Sequence, residues 1–126
     1  MDSHNLTTIK QLWDTFARDG QGAATEALLA ACHPDAEFRP YTADGKLLHG
    51  CDEIREFFAQ AAASGDTLKA TPYSFSEEGD VVTVGASIRV IHGDGSLADA
   101  QVAYTYRFRD GRIARAATAP VSAASG

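Results

Sequence analysis

Two tyrosines in the second half of the chain are the clearest candidates for chemistry. Tyr104 and Tyr106 alternate with polar residues and share a strand face with Val102 and Phe108. If that face points inward, each phenol lies in apolar surroundings, where it needs a hydrogen-bond partner and can donate to an oxygen of a ligand. Two interpretations of Tyr104 stay open: a donor in a ligand pocket, or an aromatic core residue with its hydroxyl at the rim.

Two histidines are the candidate general bases, because a neutral imidazole accepts a proton near neutral pH. His33 precedes Pro34 and His49 precedes Gly50, so both lie where elements begin or end. Histidines in such places more often cap a helix or face solvent, and geometry decides between these roles. Together with Tyr104, His33 and His49 form the predicted catalytic set.

The same part of the chain contains both of its cysteines, Cys32 and Cys51, each close to one of these histidines. Two thiols and two imidazoles can form a tetrahedral zinc site. Neither pair has the usual ligand spacing, and adjacent Cys and His ligands are geometrically awkward. The sequence therefore predicts no metal, and Cys51 is interpreted as a small buried residue near a helix N-terminus.

Composition is typical of an ordinary globular protein with one domain, residues 1–126. Of its 126 residues 44% are hydrophobic and 22% charged, and the net charge of −6 disfavours nucleic acid or an anionic membrane as a partner. No signal peptide or membrane-spanning run is found, which together with only two cysteines favours the cytoplasm. Residues 1–4 and 120–126 are expected to fray. Four late arginines are expected to face solvent or pair with acids: Arg107, Arg109, Arg112 and Arg115.

Helical periodicity in the first half predicts three helices. Leu6, Ile9, Trp13 and Phe16 recur at helical spacing and place the first helix at residues 5–18. The second spans residues 23–32, and Pro34 is expected to end it. The third begins around residue 51, with carboxylates in its first turn, and ends at residues 64–65. Its apolar stripe consists of Ile54, Phe57, Phe58 and Ala61.

Period-2 alternation predicts strands in the rest of the chain. A short strand precedes the third helix, with Phe38 and Pro40 on one face and Arg39 and Tyr41 on the other. Further strands fall near residues 68–76, 81–92, 99–109 and 112–119, and a tight Asp110-Gly111 turn joins the last two. Helices followed by strands predict an α+β fold with the helices packed on one face of the sheet.

The order of these elements and two segments resemble a known family. The segments are residues 49–58 (HGCDEIREFF), at the start of the third helix, and residues 106–113 (YRFRDGRI), in the closing hairpin. From about residue 5 to residue 119 the chain resembles the nuclear-transport-factor-2-like superfamily, in its SnoaL-like and ketosteroid-isomerase-like branch. The resemblance implies a curved antiparallel sheet wrapped as a cone around three helices, an apolar pocket between them, and a homodimer through the outer sheet face. It implies no single activity, because the family contains isomerases, cyclases, epoxide hydrolases, dehydratases and binding domains.

The catalytic positions of the family are matched only in part. Ketosteroid isomerases use a carboxylate base on the short strand, a tyrosine on the first helix and a protonated aspartate on a late strand. The matching positions here are Pro40, Trp13 and Tyr104, so two hydrogen-bond donors remain and the base is missing. The final strand lacks the acid of the cyclases, and Arg89 alone matches the Asp–Arg–Asp set of the epoxide hydrolases.

The sequence therefore predicts a small-molecule-binding protein with an apolar pocket and no cofactor. Its ligand is a carbonyl-bearing apolar molecule, on which it acts like an isomerase or cyclase, or which it only binds. The alternative is a non-catalytic homodimeric module whose cone is filled by its own aromatic side chains. The residues predicted to bind the ligand are Trp13, Phe16, Phe38, Pro40, Phe57, Phe58, Tyr104 and Tyr106.

Overall fold

The computed structural model describes residues 3–39, 47–65 and 67–120, which form three helices and one sheet. The predicted ligand residue Pro40 lies outside the described residues. The helices are α1 (His4–Asp19), α2 (Gln21–Ala31) and α3 (Gly50–Ala63). The strands are β1 (Cys32–Arg39), β2 (Leu48–His49), β3 (Thr67–Glu78), β4 (Val81–Ile91), β5 (Leu97–Arg109) and β6 (Arg112–Pro120).

The two ends of α1 are fixed by hydrogen bonds that the helix cannot make internally. At the start, the side chain of Ser3 accepts the backbone N–H of Leu6 at 3.1 Å. At the end, Gly20 takes a φ of 92°, which glycine tolerates, and its N–H donates to the carbonyl of Phe16 at 3.0 Å. Between these caps α1 buries Ile9 and Trp13, two members of the predicted apolar stripe.

The second helix ends before the predicted position. Its last residue is Ala31, and Cys32 already has the extended backbone that opens β1. Pro34 therefore lies inside β1 instead of ending the helix. A proline is tolerated there because the pairing of β1 with β6 shifts register between Cys32 and Glu37, so a regular ladder is not required.

The predicted α+β class is confirmed, and the sheet is curved and open, with strand order β2-β1-β6-β5-β4-β3. The pairs among β3, β4, β5 and β6 are antiparallel, as the sequence predicted. The expectation of a wholly antiparallel sheet is corrected, because β1 pairs with β6 in parallel. Strand β2, which pairs with β1, was not predicted, since two residues are too few to show a periodicity.

The hairpin between β5 and β6 confirms the predicted tight turn. Asp110 has a φ of 54° and Gly111 a φ of 79°. Two successive positive φ values match the turn type whose twist suits a two-residue hairpin, and Asp-Gly is a preferred sequence for it.

The helices cover one face of the sheet, here called the inner face, and the opposite face is called the outer face. Buried residues of β4 and β5 alternate with exposed ones, so Val84 and Val102 point inward while Arg89 and Thr105 point outward. The largest fully buried side chains are Ile9, Ile54, Val82, Val84, Val102 and Ile113. Within the described residues no helix has the length and apolar character needed to span a membrane.

We expect Ile54→Ala to lower the free energy of unfolding by about 2–5 kcal/mol, because it removes most of a side chain that is 1% exposed and leaves a cavity. Urea denaturation followed by circular dichroism measures this change. The matched control is Leu97→Ala, at a residue that is 56% exposed, which should change stability by less than about 0.5 kcal/mol. Equal losses in the two variants would contradict this assignment of the core.

Candidate active site

Trp13 and Tyr104 meet between α1 and the inner face of β5. Their ring centroids are 4.8 Å apart with an interplanar angle of 77°, an edge-to-face contact. Phe16, one helical turn after Trp13, stacks beside it at 6.2 Å. Three of the residues predicted to bind a ligand are therefore in one cluster, because the helical period of α1 and the strand period of β5 present them to each other.

Tyr106 extends this cluster deeper into the protein. Its ring is parallel to that of Tyr104, with centroids 6.5 Å apart, because the two residues lie two positions apart on the same face of β5. Tyr106 is buried at 4% exposure, whereas Tyr104 is half-buried. The two phenols thus lead from the edge of the core to its interior.

Both phenols are held in their neutral form. Burial raises the pKa of Tyr104 to about 12, and no charged side chain among the described residues adds to the shift. Burial raises the pKa of Tyr106 further above its usual range, the neighbouring Tyr104 adds to the effect, and the nearby Trp13 N–H opposes it. At neutral pH each hydroxyl can therefore donate a hydrogen bond.

The indole N–H of Trp13 is a buried hydrogen-bond donor. Its Nε1 atom is inaccessible to solvent and has no hydrogen-bond partner among the described residues. The N–H is close enough to Tyr106 to favour its ionised form, yet the two groups do not meet hydrogen-bond geometry. An unpaired buried N–H costs about 1–3 kcal/mol, so this atom needs an explanation.

A second aromatic cluster lies between β1 and α3. Phe38 stacks on Phe58 with centroids 5.7 Å apart, and Phe57 meets Phe58 edge-to-face at 5.3 Å. Phe38 is buried, whereas Phe57 and Phe58 are half-buried. These three predicted ligand residues are again together, on the side of the core formed by α3.

A groove of about 400 Å³ runs between α1 and the edge strand β3. Trp13 forms part of its wall together with Pro72 and Phe75 of β3, and Lys10 lies 5.7 Å above the ring of Phe75. Pro72 and Phe75 are not among the residues that the sequence predicted to bind a ligand. Pro72 and Phe75 are three residues apart, so strict alternation puts them on opposite faces, but a bulge between Pro72 and Ser74 returns both to the inner side.

Gly85 on β4 leaves the space that the bulge in β3 needs. A Cβ atom at Gly85 would lie 2.9 Å from the ring of Tyr73 and 2.6 Å from the Oγ of Ser74. Such contacts are shorter than carbon side chains tolerate, so these two residues of β3 occupy the space that a side chain at position 85 would need.

The two histidines of the predicted catalytic set lie elsewhere. His33 Nε2 is 2.6 Å from the carbonyl oxygen of Arg109 at the end of β5, and His49 Nε2 is 3.0 Å from Glu37 Oε2. The His49 side chain is 61% exposed. It lies on the exposed face of β2, whereas Leu48 lies on the buried face. The structure therefore does not bring either histidine to Tyr104, and a catalytic role for them stays a prediction.

The charged side chains pair mainly on the outer face. Arg115 binds Glu37, which lowers the pKa of that carboxyl, and Arg109 lies 3.5 Å from Asp35. For these two arginines the expected pairing with acids is confirmed. Arg89 makes two hydrogen bonds with Asp99 across β4 and β5, at 2.7 and 3.0 Å. Its exposed outer position does not match the inner-face role that an epoxide-hydrolase site requires.

The two cysteines are free thiols, Cys32 buried and Cys51 half-buried. Over residues 3–39, 47–65 and 67–120 no group of three or more His, Cys, Asp or Glu side chains could hold a metal ion.

We expect the stability of the protein to fall between about pH 10 and pH 12, partly because of Tyr104. The pKa of its phenol is raised from 10.0 to about 12 in the folded state, so the stabilisation is complete below pH 10 and is lost as the pH rises through the folded value. Tyr104→Phe removes this pH-dependent loss of stability, which is about 2–3 kcal/mol for two pKa units.

Urea unfolding at a series of alkaline pH values measures the effect. The Tyr104→Phe variant should lose less stability than the wild type over this interval and should match it closely at neutral pH. Identical alkaline slopes for the two proteins would contradict the burial of this hydroxyl.

Comparison with known proteins identifies the family. A sequence model of the SnoaL-like domain matches residues 5–116, and no curated relative matches the chain. Among solved structures, an NTF2-like protein of unknown function from Burkholderia pseudomallei is 23% identical with a TM-score of 0.81, over 98% of this chain and 95% of that one. TerC, co-crystallised with polyporic acid, is 26% identical with a TM-score of 0.79, over the same shares of the two chains, 98% and 95%.

A third similar structure is a protein with a ketosteroid isomerase-like fold from Catenulispora acidiphila, in complex with trimethylamine. It is 19% identical with a TM-score of 0.72, over 88% of this chain and 83% of that one. The family match covers most of the chain and agrees with the observed order of helices and strands. The chain belongs to the SnoaL-like domain family.

Proposed function

We propose that this protein binds a mostly apolar small molecule that carries a carbonyl or hydroxyl oxygen, between α1, α3 and the inner face of the sheet. The observation that carries the proposal is the buried N–H of Trp13 beside the tyrosines of β5, which has no acceptor among the described residues. Once the side chains that enclose this N–H move apart, a ligand oxygen would accept it and a tyrosine hydroxyl together.

The energetics favour a bound oxygen over an empty site. An N–H that is buried without an acceptor costs about 1–3 kcal/mol, and this cost is recovered when a ligand supplies the acceptor. Tyr104 is half-buried and neutral, so its hydroxyl is available to the same oxygen without a charge having to be desolvated.

The aromatic surroundings favour a flat ligand. Phe16, Phe57, Phe58 and Tyr104 are all half-buried, so none of these side chains is fully enclosed by the protein. Ligand sites are commonly apolar and aromatic, with a few polar groups that fix the orientation. The ligand would fill the space that these rings border and exclude water from the two hydroxyls.

The similarity to TerC supports this ligand class. That protein was crystallised with polyporic acid, a diphenyl-substituted dihydroxybenzoquinone, and is 26% identical to this chain. Such a molecule combines flat aromatic rings with carbonyl and hydroxyl oxygens, which is the chemistry that Trp13 and the tyrosines would recognise. The proposal needs no cofactor.

Binding is favoured over turnover by the electrostatics of the site. Burial alone raises the pKa of Tyr104, which is the pattern expected when no carboxylate or other charged base of the described residues is close. If the bound molecule reacts, the Trp13 N–H and the tyrosine hydroxyl would polarise its oxygen, and a group of the ligand or water would take the proton.

The two free thiols fit a reducing location such as the cytoplasm.

We expect polyporic acid to raise the melting temperature of the wild type, because a ligand of the native state alone stabilises it. Tyr104→Phe should weaken binding about 5- to 10-fold, the effect of one lost hydrogen bond of about 1 kcal/mol. Isothermal titration calorimetry measures the affinity. The control is Tyr73→Phe, which removes the hydroxyl of a tyrosine that is 55% exposed and should leave the affinity unchanged.

Unchanged affinity in Tyr104→Phe would remove this residue from the site. Absence of binding to a panel of aromatic quinones, phenols and steroid ketones would contradict the ligand class itself.

We further propose a homodimer through the outer face of the sheet, as is expected for this family. Small side chains occupy the middle of that face on adjacent strands, where Ala103 pairs with Gly85 on β4 and Thr105 pairs with Ala117 on β6. Small side chains of this kind let two sheets pack closely. Tyr73 and Leu97 are the exposed large apolar residues of the described chain, at 55% and 56% exposure, and would be covered by the partner.

We expect Thr105→Arg to convert the dimer to a monomer, because it places a long charged side chain in the middle of the proposed contact. Light scattering coupled to size exclusion measures the mass. The matched control is Gln60→Arg, the same change of charge at an exposed position of α3, which should remain dimeric. A wild type that is monomeric at all concentrations would contradict this proposal and would leave the ligand site untouched.

A further inference from the structure

The two cysteines lie where the start of α3 rests on the start of β1. Cys32 is the first residue of β1 and Cys51 the second residue of α3. Cys51 Sγ is 3.9 Å from the carbonyl oxygen of His33, the residue next to Cys32. Gly50 approaches as closely, because a Cβ atom there would lie 3.4 Å from the carbonyl oxygen of Pro34. Successive residues of α3 therefore contact successive residues of β1.

Both thiols face the same core. Cys32 is 6% exposed and belongs to the buried cluster, against which the half-buried Cys51 packs. On α3, Cys51 is three residues from Ile54, which is 1% exposed, so both side chains point from the helix toward the sheet. Burial raises the pKa of the Cys32 thiol to about 12, and the charge of Cys51 adds to this shift.

We propose that Cys32 and Cys51 form a reversible intramolecular disulfide when the protein meets a peroxide. Cys51, the more accessible thiol, attacks hydrogen peroxide as its thiolate. An S–O bond forms, the O–O bond breaks, and water leaves after protonation, so that Cys51 becomes a sulfenic acid. The Cys32 thiolate then attacks the sulfur of Cys51, the S–S bond forms, and the S–O bond breaks with loss of a second water. The two thiols supply two electrons and two protons to the peroxide.

The Cys32 thiol has a small thiolate fraction near neutral pH, but its position close to Cys51 compensates for this. A pKa of about 12 in place of 9.0 reduces the thiolate fraction near neutral pH about a thousandfold. An attacking group held close to its target acts at a far higher effective concentration than the millimolar thiols in solution. The internal reaction therefore outruns capture of Cys51 by an external thiol, and its rate rises with pH.

The bond would join the two elements that form one aromatic wall of the core. Phe38 lies on β1 and Phe58 on α3, with ring centroids 5.7 Å apart. A link at residues 32 and 51 closes the chain between these elements and restricts the unfolded state, which stabilises the folded protein. In a reducing compartment such a bond is transient, and glutathione would reverse it.

The test treats the folded wild type with hydrogen peroxide, followed by alkylation in denaturant, trypsin digestion and mass spectrometry. Trypsin does not cleave between Arg39 and Pro40, so Cys32 lies in the peptide of residues 19–46 and Cys51 in that of residues 47–55. We expect these two peptides to be linked, with a loss of two hydrogens and of both free thiols. Dithiothreitol should restore both thiols, and the oxidised protein should melt several degrees higher than the reduced one.

Two variants keep the result interpretable. Cys32→Ser should stop at a sulfenic acid that dimedone traps on Cys51, and Cys51→Ser should leave Cys32 reduced at the same peroxide concentration. Circular dichroism of each variant checks that it is folded. A wild type in which Cys51 is oxidised while Cys32 remains a thiol, or in which cross-links form only between chains, would overturn the proposal.

Discussion

The packing of α1 on the inner face of β5 is the contact on which the rest of the structure depends. Trp13 meets Tyr104 edge-to-face at 4.8 Å, and Ile9 is fully buried one turn earlier on the helix. Strand β5 pairs with β4 on one side and β6 on the other, so its register is fixed twice. A slip of one residue would turn both tyrosines to the outer face and expose the apolar set. The interaction that stabilises the core therefore also positions the hydrogen-bond donors.

The same contact includes a cost that a core built only for stability would avoid. Trp13 is 6% exposed, and its N–H finds no acceptor in the described part of the chain. An apolar ring of similar size would fill the space without leaving a donor unpaired. Buried polar groups that lack a hydrogen-bond partner in an otherwise well-packed fold are expected at functional sites. The candidate site is therefore assigned from a defect in the core more than from the shape of a cavity.

Much of the fold could be predicted from the sequence, because helical and strand periods are local properties. They predicted the three helices and the four long strands, whereas the placement of Trp13 and Tyr104 in one site was implied by the resemblance to the family. Contacts between distant residues could not be predicted in this way. The bond from His33 to the carbonyl of Arg109 spans 76 positions, and the parallel pairing of β1 with β6 leaves no mark on either strand alone. Phe75 was missed because the bulge in β3 interrupts the alternation on which the prediction relied.

The absence of a side chain at Gly85 of β4 affects the shape of the groove between α1 and β3. With only hydrogen at position 85, Tyr73 and Ser74 can close over the backbone of β4, and the extra residue of β3 is absorbed there. Any larger residue would push Tyr73 and Ser74 away from the backbone of β4, which would displace the neighbouring Phe75 relative to Lys10 and Trp13. Relatives that carry a side chain at this point should consequently differ in the depth of the cleft beside α1, whatever their pocket residues are.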